Sequence, residues 1–264
     1  MRGEGLTITR VANFPVPSSE VGHPGLTKEY IVYPFADDGG TLPNAVGVID
    51  LASGERRVIA RSEWSKGLID WVEITGSTVV WADQDRIPST DNRDNMWRLY
   101  AYDLSTDQRR LLATSGDATQ PWVPIPRAAD GYVVWSELPD GQADPAAGVR
   151  LRVWKPAWAE PRDLFGRAHV VQATGSISDG RLTYLAPSPG KTGGYFNIDV
   201  YTVPLTGGTP RRLSTSGTVQ WLDAADGVAV WSERKPPPAQ FQDPYSHVVR
   251  PLDGSAPPRR IQQG

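Results

Sequence analysis

The sequence predicts an all-β fold, a β-propeller of four-stranded antiparallel blades, and three observations carry that expectation. A short strand ending in Trp or Tyr recurs five times, with its aromatic at 33, 81, 135, 184 and 231. A strand, a tight turn and a basic pair recur in the same rhythm. No long stretch has a helical hydrophobic period, so parallel strands would lack the helix that must connect them.

The elements of one repeat follow in order. The first strand carries Trp71, Trp122 and Trp221 in three copies, while the fourth reads Val170-Val171-Gln172. A turn, usually with Gly, leads to the second strand: Tyr30–Tyr33, Thr78–Trp81, Tyr132–Trp135, Arg181–Tyr184 and Val228–Trp231. A long loop follows. The third and fourth strands form a hairpin around turns such as Ala52-Ser53-Gly54 and Asp253-Gly254, since Gly between two β-rich runs is a hairpin signal. Successive aromatics lie 48, 54, 49 and 47 residues apart, close to the roughly 40 to 50 of propeller repeats. Large rings at repeat-equivalent positions are expected to fill the space between blades. That assigns Trp71, Trp122, Trp221, Trp81, Trp135 and Trp231 to packing.

Five blades is the direct count. A sixth would have to be hidden in a segment shorter than the others. Residues 1–29 form an N-terminal extension whose strand-like Leu6–Phe14 is expected to close the ring against the last blade. Residues 30–264 form the propeller, with repeats near 30–74, 75–129, 130–178, 179–225 and 226–264.

Composition excludes several classes. There are no cysteines among 264 residues, so disulfide scaffolds, thiolate metal sites and cysteine nucleophiles are ruled out. A formal net charge of -3 argues against nucleic acid, whose binders carry a basic face. No apolar run reaches the roughly 20 residues of a membrane-spanning helix. The N-terminal stretch lacks the apolar core of a secretory signal.

The unit Gly-x-x-x-x-Trp-Ser-Glu, followed by a strand and Asp-Leu-x-x-Gly-x-x-Arg-Arg-Leu, resembles the TolB-like propeller repeat. The best copies are Asp130–Glu137, Asp226–Glu233 and Tyr102–Leu111. The resemblance implies a protein-binding platform in an extracytoplasmic or periplasmic setting. It carries no catalytic residue set, and the family more usually has six blades.

Candidate sites follow from the same layout. Asp83, Glu137 and Glu233 each stand two residues after the second-strand aromatic, so radial symmetry gathers them on one face near the channel mouth. Two carboxyls there are the equipment of glycoside cleavage; because they follow the repeat, loop-capping acids are the competing reading. Asp83, Asp85, Asp91 and Asp94 are hard oxygen donors suited to calcium, although their spacing matches no EF-hand loop. Trp64 and Trp158 break the repeat and are candidate binding rings. Phe241 and Tyr245, in the Pro-stiffened loop after Lys235, are candidate partner anchors. His23, His169 and His247 fall in different repeats without metal spacing. Pro189–Gly194 ends like a phosphate loop but lacks its first Gly and a following helix.

The sequence is thus read as a non-catalytic binding scaffold for a protein partner, displayed on the long loops between second and third strands. No cofactor is expected, with calcium the weak exception. The alternative is a carbohydrate-binding or glycoside-cleaving propeller.

Overall fold

A computed structural model of the chain describes residues 22–37, 39, 42–85, 96–115, 123–138, 149–168, 172–190, 197–234 and 245–261. They form five antiparallel sheets and no helix. Blade 1 contains β1 (Gly25–Leu26), β2 (Tyr30–Phe35), β3 (Ala45–Asp50) and β4 (Arg56–Arg61). In blade 2 the first position is split between β5 (Gly67–Leu68) and β6 (Val72–Thr75). Both pair with β7 (Thr78–Asp85), which is followed by β8 (Met96–Asp103) and β9 (Gln108–Thr114). Blade 3 is β10 (Arg127–Ala129), β11 (Tyr132–Glu137), β12 (Val149–Trp154) and β13 (Arg162–Ala168). Blade 4 is β14 (Gln172–Ser178), β15 (Arg181–Pro187), β16 (Ile198–Pro204) and β17 (Arg211–Arg212). Blade 5 is β18 (Val219–Ala225), β19 (Val228–Glu233), β20 (Ser246–Pro251) and β21 (Arg259–Ile261).

The first and second strands meet through two-residue turns. Asp130-Gly131, Asp179-Gly180 and Asp226-Gly227 all have positive φ, between 50° and 75°. Those angles match the twist of adjacent strands, which is why Asp-Gly is favoured there. The pairs Ala129–Tyr132, Ser178–Arg181 and Ala225–Val228 close these hairpins. Side chains then tie one turn to the next: Gly131 N–H donates to Thr75 Oγ1 at 2.8 Å, Gly180 N–H to Asp130 Oδ2 at 3.0 Å, and Gly227 N–H to Ser178 Oγ at 3.0 Å. Each sheet uses consecutive strands, so each blade begins one strand ahead of the corresponding sequence interval.

Apolar clusters between blades hold the disc together. They join blade 1 to 2, 2 to 3, 3 to 4 and 4 to 5. Among the described residues, no such cluster joins blade 5 to blade 1. Tyr33, Phe35, Ala45 and Ile49 of blade 1 form a separate cluster. The expected ring-closing strand Leu6–Phe14 lies outside the described residues.

The second-strand rings pack as expected: Trp81, Trp135 and Trp231 are buried. The first-strand set does not behave as one. Trp221 is 71% exposed, which corrects its assignment to inter-blade packing: among the described residues no apolar cluster covers its side of blade 5. Trp122 lies outside the described residues.

Candidate functional site

The first strands of successive blades lie side by side around the axis, β6 beside β10, β10 beside β14, and β14 beside β18. Strand register fixes which side chains share a level. Gly25 pairs with Val32, Glu73 with Val80, Arg127 with Val134, Ser176 with Thr183 and Asp223 with Val230. Every partner is the residue just before the second-strand aromatic, so these five residues occupy one level of the axis. Two residues earlier, and therefore on the same side of the pleat, stand His23, Trp71, Ile125 and Trp221. Ile125, rather than Trp122, is the blade 3 counterpart of the two tryptophans.

Four of the five blades enclose an axial cavity of about 590 Å³, whose walls include Trp71, Glu73, Arg127, Ser176, Trp221 and Asp223. First strands run from the aromatic level to the Asp-Gly turns and second strands return. The aromatic level is therefore at the end of the disc from which the second-to-third-strand loops leave.

The walls are internally bonded. His23 stacks on Trp71, with centroids 3.4 Å apart and planes inclined by 11°, and backbone hydrogen bonds from His23 N–H to Asp70 O and from Val72 N–H to His23 O fix the pair. The Arg127 guanidinium stands 5.1 Å from the Trp71 ring centre and donates to Glu73 Oε1 at 2.7 Å. Burial raises the pKa of Glu73, and the bond and charge of Arg127 partly offset this. Ser176 Oγ donates to Asp223 Oδ1 at 2.8 Å, and Ala224 N–H donates to the same oxygen at 2.8 Å. The three charged lining residues, Glu73, Arg127 and Asp223, sum to one negative charge. Among the described lining residues Trp221 alone presents a largely open ring.

The sequence-predicted acids lie elsewhere, and none of the three lines this cavity. Asp83, 1% exposed, accepts from Ser62 Oγ at 2.6 Å and Glu63 N–H at 3.1 Å. Burial raises its pKa, against those bonds. Glu137 accepts from Trp135 Nε1 at 3.0 Å and lies near Arg150 and Arg152. Glu233 accepts from Trp231 Nε1 at 2.9 Å and pairs with Arg260 at 2.7 Å. In blades 3 and 5, then, the acid two residues beyond the tryptophan anchors the indole N–H of the same strand.

The candidate binding rings are half-buried beneath cations. Arg98 stands 4.3 Å from the Trp64 ring centre, and Arg162 stands 4.1 Å from that of Trp158, with Tyr132 edge-on at 6.1 Å. Arg234 lies 5.7 Å from the Tyr245 ring centre. Phe241, Asp91 and Asp94 lie outside the described residues. Asp85 ends β7, paired with Gly67 and Met96. Among the described residues no group of three His, Cys, Asp or Glu is placed to hold a metal ion.

The axial residues escape a repeat-based search because equivalent positions carry different chemistry: Gly, Glu, Arg, Ser and Asp. Counting back along the hairpin from each second-strand aromatic would have found them.

No protein-family model matches the chain, and no curated protein matches it by sequence. Solved structures do. The β-propeller domain of the Trilobed protease from Pyrococcus furiosus matches with a TM-score of 0.61 and 10% identity, covering 92% of this chain and 69% of that one. An acylaminoacyl peptidase matches with a TM-score of 0.62 and 11% identity, over 92% of this chain and 39% of that one. An oligogalacturonate lyase matches with a TM-score of 0.56 and 17% identity, over 89% and 62% respectively. The chain thus spans less than two thirds of the peptidase and the lyase. At these identities the likeness establishes the fold, a β-propeller.

Proposed function

We propose that this chain is a non-catalytic binding propeller of the TolB-like kind, and that its ligand is seated at the mouth of the axial cavity. One observation carries the reading: the axial level departs from the repeat at every blade, while the acids that follow the repeat are engaged in local hydrogen bonds. A site must break radial symmetry to recognise an asymmetric ligand, and loops and inner positions on a rigid scaffold are where that happens. The cavity volume is also within the range of small-ligand sites, roughly 300 to 1,000 Å³.

The rings that recommended a protein platform, Trp64, Trp158 and Tyr245, lie against arginines. This moves the proposed contact surface inward, to the axis. A partner protein would reach it from the face bearing the long loops.

The test is thermal unfolding with a panel of saccharides, small amines, calcium and chelator, repeated on Asp223→Asn and on Glu137→Gln. A ligand at 100 times its dissociation constant stabilises the fold by about 2.7 kcal/mol. The reading expects a ligand-induced shift that Asp223→Asn diminishes and Glu137→Gln preserves. A shift abolished by Glu137→Gln, or turnover of any saccharide in the panel, would overturn it.

A further inference from the structure

The axial walls narrow the chemistry of the ligand. We propose that the mouth of the cavity binds a neutral saccharide, with one sugar ring lying on the indole of Trp221 and its hydroxyls directed toward the level of Arg127, Ser176 and Asp223. This rests on the binding reading above and goes one step further, to the class of ligand.

Three features of the site lead there. Trp221 is 71% exposed, although it sits on an inner strand and lines a cavity. A large ring left open at a concave site is a flat apolar platform, and the face of a pyranose, with its C–H groups, is complementary to it. Trp71 has a different part: one side carries His23, and Arg127 stands near its ring. It is a braced wall.

The charge balance then selects among ligands. Arg127 is already paired with Glu73 at 2.7 Å, so among the described lining residues no cation is uncompensated, and their charges sum to one negative charge. Phosphate, sulfate and uronate groups would meet net repulsion. A quaternary ammonium is attracted by a carboxylate, but recognition of such ions uses a cage of several aromatic faces, and here one ring is open.

Hydroxyl-rich ligands fit what remains. The Arg127 guanidinium donates, the Asp223 carboxylate accepts, and the Ser176 hydroxyl, whose own proton is directed to Asp223, also accepts. One donor and two acceptors stand at one level, about one strand-pleat beneath the platform. That is the arrangement a polyol needs if it is to exchange its water hydrogen bonds without loss.

The experiment is a fluorescence titration of the full chain with neutral oligosaccharides, oligouronates and choline. It is run on the wild type, Trp221→Ala and Asp223→Asn, with thermal midpoints recorded for each. The expected result is saturable binding of a neutral oligosaccharide, weakened roughly tenfold or more in Trp221→Ala, as loss of a stacked ring implies. The exposed position should leave the thermal midpoint of that variant near the wild-type value. Should Trp221→Ala prove unstable, Trp221→Leu serves instead, keeping apolar bulk while removing the flat ring, with a comparable loss of affinity expected. Tighter binding of oligouronate or choline than of every neutral sugar would overturn the saccharide assignment and leave the axial binding reading standing. Saccharide binding unaffected by both substitutions would overturn the axial site itself. Absence of binding to all three ligand classes would overturn the proposal.

Discussion

His23 lies flat on Trp71, and the two rings come from neighbouring blades. His23 precedes β1 and Trp71 precedes β6, and a parallel bridge joins them. The stack therefore fastens the entry of blade 1 to the inner strand of blade 2. Replacing His23 with Ala is expected to remove about 0.5–1.5 kcal/mol of aromatic contact. Thermal unfolding will measure the loss. A concurrent red shift of tryptophan emission is expected, because Trp71 becomes wetter.

A second prediction concerns pH. Burial raises the pKa of Glu73 above its ordinary value of 4.5 despite Arg127. For a raised pKa, the stability contribution is complete below the unfolded value and lost as pH rises through the folded one. Glu73→Gln has no such loss. The stability difference between variant and wild type should thus shift in favour of the variant between pH 4 and pH 7. Denaturant midpoints at the two pH values will show it, and every other titrating group largely cancels in the comparison.

The balance between sequence and structure is clear at particular residues. The five blades were legible because the second-strand aromatic repeats and is buried in every one. The pairing of Trp with the acid two positions on was visible as a recurrence, and its meaning came from geometry, as Trp135 to Glu137 and Trp231 to Glu233 show. Trp122 was aligned with Trp71 and Trp221 by residue type, but strand register puts Ile125 in that place. Periodicity records what every blade must do to pack. Glu73, Arg127, Ser176 and Asp223 differ from one another, so periodicity hides them. Trp221 illustrates the remaining gap: its repeat position implies burial, yet it lies outside the cluster shared with blade 4 and is 71% exposed.

The Trp231–Glu233 pair allows the capping role of the repeat acid to be measured. Trp231 is buried, and its indole N–H donates to Glu233 Oε1 at 2.9 Å while Arg260 holds the other oxygen at 2.7 Å. Glu233→Gln keeps an acceptor and is expected to be mild. Glu233→Ala leaves a buried donor unsatisfied, at a cost of about 1–3 kcal/mol. In a double-mutant cycle with Trp231→Phe, a coupling of about 1 kcal/mol is expected. Additive effects would show that the acid does not support the ring.

The last prediction separates the two faces of blade 5. Ala229 and Trp231 point into the cluster shared with blade 4, and Ala229 is fully buried. Val230, between them on β19, must point the other way, and it is 40% exposed. Its cross-strand neighbours, Asp223 on β18 and Val249 on β20, share that face. An aspartate at 229 would bury an unpaired carboxylate among Leu213, Val248 and Leu252, and Ala229→Asp is expected to cost about 3–5 kcal/mol or to prevent folding. Val230→Asp places the same charge on an open surface and is expected to change stability by less than about 1 kcal/mol. Chemical denaturation of the two variants side by side checks the contrast. A large loss in Val230→Asp would mean that a further element covers this face in solution, and that blade 5 is packed on both sides like the blades before it.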